Sequence, residues 1–259
     1  HGITGRHGMT PTTPPSILVF DVNETLLDLT TLEPLFERVF GRGEVMREWF
    51  AQLILYSEAM TLSGLYTPFG QLGGGVLKMV AETSGVSLHD DDIAELKHRM
   101  QTMPALPDVI PGLERLRDAG FRLVTLTNSA PPPDPTAVSP LKNAGIDGFF
   151  EQMLTVHVVR RFKPAAEVYD RAAEKLGVDA GELCLVACHL WDTLGAQAAG
   201  YKGAFITRPG NAMLPVDEML VPDIIASDMH DLADQIINQW AIDSHFKFND
   251  KNYQAKTHT

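Results

Sequence analysis

Asp21 closes the short apolar run Ser16-Ile-Leu-Val-Phe-Asp21, and a carboxylate at the end of a buried strand has two chemical uses. It can attack an electrophilic carbon or phosphorus, or it can bind a metal ion. Asn23 narrows the choice. An acid at that place could protonate a leaving alkoxide, whereas an amide has no useful proton to give. A halide leaving group needs none. Glu24 could orient a base or act as one, although its blandest reading is a solvated loop residue.

Two later clusters add the other groups that such chemistry needs. In Arg160-Arg161-Phe162-Lys163-Pro164, the lysine precedes a proline expected in the first turn of a helix, from where it can reach back to neutralise Asp21 and hold an anion. Asp192, in Cys188-His189-Leu190-Trp191-Asp192, can fix the Lys163 ammonium by a charge-assisted bond. His189 stands where an imidazole could activate water near neutral pH, with Glu24 as the carboxylate to orient it. Thr127-Asn128-Ser129 offers a hydroxyl, an amide and backbone N–H groups to a carboxylate or phosphate oxygen, but this is also ordinary turn composition. Cys184, Cys188 and His189 match no standard zinc spacing and lack an apparent fourth ligand, so a zinc cofactor is not expected.

These residues are far apart in the chain, so the fold must gather them. After the first strand, apolar runs at Phe121–Thr127, Phe150–Val156, Leu183–Ala187, Ala204–Ile206 and Pro222–Ala226 alternate with helical stretches. That rhythm predicts an α/β fold, a Rossmann-like parallel sheet covered on both faces. Such sheets place their sites at the carboxyl ends of the strands, which collects Asp21, Thr127-Asn128 and Cys188 to Asp192 on one edge. The region from Thr31 to Pro107 breaks the rhythm with four amphipathic patterns, and is expected to be a helical cap inserted after the first strand. The division that follows is a flexible segment 1–15, a core of 16–30 and 108–241, the cap 31–107, and a polar tail 242–259 in which Phe246 and Phe248 are candidate anchors.

Composition excludes some classes of partner. The chain of 259 residues carries 33 acidic against 21 basic side chains, a formal charge of −12, which argues against a nucleic-acid surface. No stretch approaches the roughly 20 apolar residues of a membrane span. Two cysteines are no disulfide framework, and a cytoplasmic location is the simpler expectation. His1 to Ser16 lacks the apolar segment of a signal peptide, and Met9 is a candidate natural start.

The chain resembles the haloacid dehalogenase superfamily from about Ile17 to Trp240, and within it the L-2-haloacid dehalogenases. The resemblance rests on Phe20-Asp-Val-Asn-Glu-Thr-Leu-Leu-Asp28, Leu126-Thr-Asn128, Arg161-Phe-Lys-Pro164 with Tyr169, and Asp192 leading to Ala196-Gln-Ala-Ala-Gly200. It implies Asp21 as nucleophile with Thr25 as its loop partner, and Thr127 and Asn128 as the pair that binds the substrate carboxylate. It also implies Lys163 as counter-charge, Tyr169 as a supporting hydroxyl, and Asp192 as the partner of Lys163 that also serves water activation, with Thr25 and Tyr169 expected among the substrate-binding residues. The implied substrate is a small halogenated carboxylic acid, converted without a metal, by an enzyme that is often a homodimer.

Three departures stand out. Asn23-Glu24 replaces the family's Tyr-Gly, Ala187-Cys-His-Leu190 replaces its Ser-Ser-Asn-Gly, and the cap arginine that helps take the halide falls at or near Phe50. Glu24 and His189 would together supply a water-activating dyad beside the nucleophile, and Phe50 would line the halide or alkyl pocket. The expected reaction is hydrolysis of short L-2-haloalkanoic acids, with inversion, through an aspartyl ester. A Mg²⁺-dependent small-molecule phosphatase and a non-catalytic small-anion binder are the alternatives.

Overall fold

Ile17, Leu18, Val19 and Phe20 are all fully buried, the pattern of a strand covered on both faces. They form β1 (Ile17–Phe20), which pairs in parallel with β2 (Arg122–Thr127) on one side and β4 (Leu183–Ala187) on the other. β3 (Gln152–Thr155), β5 (Lys202–Ile206) and β6 (Ile224–Ala226) complete a six-stranded sheet of order β3-β2-β1-β4-β5-β6. The two edge strands carry the weaker apolar signals because one side of each is open, and Met153 of β3 and Ile225 of β6 are exposed. This computed structural model describes residues 13–241. The expected anchors Phe246 and Phe248 lie outside the described residues.

Four helices stand between β1 and the chain's return at Ala105: α1 (Glu33–Phe40), α2 (Val45–Leu62), α3 (Phe69–Thr83) and α4 (Asp90–Gln101). They enclose an apolar centre of their own around Trp49, which is fully buried and donates its indole N–H to the Gly73 carbonyl at 2.9 Å. Gly73 faces that ring across a space with no room to spare for a larger side chain, so α2 and α3 pack closely. The chain returns at Ala105, which bridges to Leu27. It then continues through α5 (Val109–Asp118), α6 (Pro140–Asn143), α7 (Ala166–Leu176), α8 (Leu190–Ala198) and α9 (Met229–Trp240).

The strand order makes β1 and β4 the pair at which the sheet's winding reverses direction. In open parallel sheets the connections leaving the carboxyl ends of such a pair run to opposite sides, which is where ligands are bound. Asp21 follows β1 and Cys188-His189 follows β4; with Phe20 paired to Val186, the two segments leave the sheet side by side. One local expectation changes. The helix after Lys163 begins at Ala166, so Pro164 lies ahead of it in a turn, joined to Lys163 by a cis peptide bond.

Candidate active site

Asp21 is nearly buried and both its oxygens are engaged. Oδ2 accepts from the Thr25 hydroxyl at 2.8 Å, and the same hydroxyl accepts the Cys188 backbone N–H at 3.0 Å, tying the ends of β1 and β4 together. Oδ1 lies 3.1 Å from Lys163 Nζ, which also reaches Asp192 Oδ2 at 2.7 Å. Tyr169 donates to the other Asp192 oxygen at 2.7 Å. Gly195 of α8 permits this arrangement, because a side chain there would collide with Pro164 and the Tyr169 ring. Asn128 contributes from β2 by accepting the Lys163 backbone N–H at 3.0 Å.

On the other side of Asp21 stands His189. Its Nε2 meets Glu24 Oε1 at 2.9 Å, and its Nδ1 lies 3.0 Å from Asp21 Oδ2. The angle at Nδ1 is too poor for an aligned hydrogen bond, so the second contact is a close ion pair and the buried nitrogen keeps a free direction. Glu24 also pairs with Arg47 of α2. The result is a chain of six alternating charges: Arg47, Glu24, His189, Asp21, Lys163 and Asp192. Phe50, also on α2, sets its ring 5.5 Å from the imidazole, and Trp191 stacks on it at 4.9 Å and 6°. An imidazolium held against an indole face gains a further attraction.

Glu24 adopts a left-handed backbone at φ 70°. For an L residue other than glycine this costs about 1–2 kcal/mol, which the two cations on its carboxylate offset. The neighbouring backbone is fixed from outside the predicted set. The guanidinium of Arg208 donates to the Thr25 carbonyl at 2.9 Å and grips Asp108 at 2.7 and 3.0 Å, and Asp108 also accepts the Met229 backbone N–H.

The charges follow from this geometry. Burial alone would raise the Asp21 carboxyl, but Lys163 first, then His189 and Thr25, hold it well below the usual carboxylate range. Burial works against a charge on His189, whereas Cys188 and the Asp21 and Glu24 carboxylates push it well above its ordinary 6.5. The Cys188 thiol is itself raised by burial and stays neutral, so the two carboxylates carry the effect. Glu24 is lowered: burial is outweighed by His189 and Arg47. Burial raises Asp192, with Lys163 pulling the other way. Lys163 is raised despite its burial because Asp192 and Asp21 flank it.

Several expectations are corrected by burial. Thr25 and Tyr169 are fully enclosed and serve Asp21 and Asp192, not a substrate. Asp192 is fully buried with both oxygens occupied, which leaves it an anchor for Lys163 and no place to activate water. Asn128 spends its carbonyl oxygen on the Lys163 loop, and Thr127 accepts the Ser129 N–H within its own turn. The flanking carboxylates favour the protonated form of His189, whereas a base must be uncharged. Arg47, Arg208, Asp108 and Trp191 were not found from sequence. Only Arg47 had a signal, one helical turn before Phe50: a buried glutamate needs a cation.

A metal would meet competition here. Donor atoms of Glu24, Cys188 and His189 come within 4.8 Å of one another, but both Glu24 oxygens already serve His189 and Arg47. Between Asp21 and Asp192, the pair that would chelate Mg²⁺ in a phosphatase, the Lys163 ammonium stands in the cation's place.

Residues 15–200 match the family of haloacid dehalogenase-like hydrolases, and the chain belongs to that family. It is 30% identical over 199 residues to (S)-2-haloacid dehalogenase 4A of Burkholderia cepacia, a match covering 74% of this chain and 83% of the relative. Haloacetate dehalogenase H-2 of a Moraxella species is 26% identical, covering 75% and 87% respectively. The crystal structure of the L-2-haloacid dehalogenase RSc1362 superposes with a TM-score of 0.79 at 28% identity, covering 86% of this chain and 99% of that one. Within the family the chain falls in the L-2-haloacid dehalogenase branch.

Proposed function

We propose that the protein hydrolyses short L-2-haloalkanoic acids to 2-hydroxyalkanoic acids with inversion, through an ester on Asp21. In this reading residues 16–30 and 108–241 are the catalytic core and 31–107 the cap; the enzyme is a cytoplasmic homodimer that needs no metal. The observation that carries the proposal is the position of His189 between the nucleophile and Glu24, with Nε2 held by Glu24 and Nδ1 3.0 Å from Asp21 Oδ2.

In the first step an Asp21 oxygen forms a bond to C2 of the substrate, and the halide leaves with its bonding pair from the opposite side, which inverts that carbon once. Lys163 keeps the carboxylate ionised for this attack. Esterification then removes the Asp21 charge. His189 loses one of the two carboxylates that held its proton and releases that proton to solvent. In the second step water adds to the Asp21 carboxyl carbon, giving one proton to Nδ1. The bond to the substrate oxygen breaks, the alkoxide takes the remaining proton, and Asp21 returns as a carboxylate beside a protonated His189. Phe50 presents an apolar wall where an arginine is usual.

The test is halide release in the presence of a chelator, with both enantiomers of 2-chloropropionate and 2-bromopropionate and chiral analysis of the product. L-selective release with an inverted product is expected. Phosphate-ester hydrolysis that requires Mg²⁺, with no halide release, would overturn the reading.

A further inference from the structure

Arg47 is the one charged residue of the cap that reaches into the chain of charges around Asp21. From the second position after the start of α2 it pairs with Glu24, while its Nη2 donates to the Pro209 carbonyl at 3.3 Å in the loop after β5. Gly210, at φ 84°, lies directly beneath the guanidinium, and a side chain there would come within 3.4 Å of it. The guanidinium is thus seated in contact with two loops of the core, the Glu24 turn and the Pro209-Gly210 turn. Phe50, one turn further along α2, faces the His189 ring. A single helix therefore brings both a charge and an apolar wall to the base.

We propose that Arg47 is a positioning residue for the ester-hydrolysis step: by clamping Glu24 from the cap, it fixes the Glu24–His189 pair and makes base activity depend on a closed cap. The inference rests on the function proposed above. The partners of Arg47 are Glu24 and the Pro209 carbonyl, so it acts on His189 through Glu24. Glu24 in turn is held at φ 70° by its backbone N–H bond to the Leu27 carbonyl at 3.0 Å, so its carboxylate leaves the loop in a fixed direction toward His189 and Arg47. Losing the guanidinium leaves the carboxylate beside the imidazole but without its second partner, and the Glu24–His189 pair loses its fixed orientation. The sign of the charge effect is also defined. The groups that face His189 are Asp21 after β1, Glu24 in the following loop, Cys188 after β4, and Phe50 and Trp191 as rings; Lys163 and Asp192 lie behind Asp21. Arg47 is the only cation behind Glu24, so its removal favours a proton on His189 and shifts base activity to higher pH.

The experiment compares wild type with Arg47→Gln and Arg47→Lys. In rapid-quench assays with L-2-bromopropionate, Arg47→Gln should keep the first-turnover release of halide near the wild-type rate. Product release should slow by about 10-fold or more, a fraction of what a general base supplies. The ester should then accumulate on intact protein, visible as a mass increase, and Arg47→Lys should recover part of the rate. The pH profile of the slow step should move upward in Arg47→Gln. NMR titration of His189 in the free proteins is a readout that needs no turnover, and the histidine should lose its proton at higher pH in the variant. Equal slowing of halide and product release with no adduct, in a variant that melts like wild type, would overturn the inference. So would an unchanged His189 titration. If wild type releases no halide while the His189 titration still responds to Arg47, the proposed reaction fails and the clamp stands.

Discussion

Glutamate at position 24 should be visible in stability as well as in rate, and a pair of substitutions separates the two. Glu24→Ala and Glu24→Gly both remove the carboxylate, so both leave the buried Nε2–H of His189 without its acceptor, at about 1–3 kcal/mol. Both also free Arg47, whose side chain is 37% exposed and can turn to water at small cost. They differ in the backbone. Alanine retains the penalty of φ 70°, about 1–2 kcal/mol, which glycine does not incur. Glycine's greater freedom in the unfolded chain takes back roughly 0.5 kcal/mol or more. The net expectation is that Glu24→Gly is more stable than Glu24→Ala by about 1 kcal/mol, or roughly 2–4 °C in Tm for a chain of this size. Urea unfolding followed by far-UV circular dichroism measures the difference. Ester hydrolysis should be lost equally in both, with halide still released in the first turnover. Equal stabilities would show that residue 24 is not strained, and wild-type turnover in Glu24→Gly would show that Glu24 orients nothing.

The remaining charges make two further expectations. The His189 proton is bound more tightly in the folded protein than its ordinary 6.5, so it contributes stability that is complete below about pH 6.5. That stability is lost as the pH rises through the folded value. Urea unfolding at stepped pH should show this decline in wild type and its absence in His189→Asn, which should also trap the ester. A decline of the same size in the variant would assign it elsewhere. Lys163→Met leaves Asp21 and Asp192 facing each other in a buried site, at about 3–5 kcal/mol unless one takes up a proton. Its first-turnover halide release should fall below detection, and a folded variant that releases halide at the wild-type rate would remove Lys163 from the mechanism.

Much of the sheet was legible because burial leaves a one-dimensional trace. Ile17 to Phe20 and Leu183 to Ala187 are apolar without interruption since both faces of these strands are covered. The edge run ending at Val156 was weaker for the converse reason. Helix starts were less legible. Pro164 satisfies the composition of a first helical turn, but the turn that carries Lys163 to Asp21 displaces it from the helix. In the site, the positions of Asp21, Lys163 and Asp192 follow from the rule that strand ends converge. The role of a polar residue does not, because it depends on which of its atoms are already occupied. Thr25, Tyr169 and Asp192 have the right chemistry to meet a substrate, and only their enclosure shows that they support one another. Arg208 was invisible for a related reason: its partners are a backbone carbonyl and an aspartate 100 residues away.

The charge chain gives the two halves of the reaction separate supports that meet at Asp21. Lys163, held by Asp192 and Tyr169, acts on one oxygen and is suited to a carboxylate that must remain ionised. His189, held by Glu24 and Arg47, stands at the other and is suited to an ester that must be opened. Coulomb attraction at about 3 Å is several kcal/mol even at an effective dielectric constant of about 20. Removing the Asp21 charge therefore alters both neighbours at once. Lys163 keeps Asp192 as a counter-ion, but His189 keeps only Glu24, whose own charge is shared with Arg47. The proton held least firmly after esterification is the one on the imidazole. In the proposed reaction an uncharged imidazole would thus arise beside Asp21 once there is an ester to hydrolyse, and the cationic form would return with the free carboxylate.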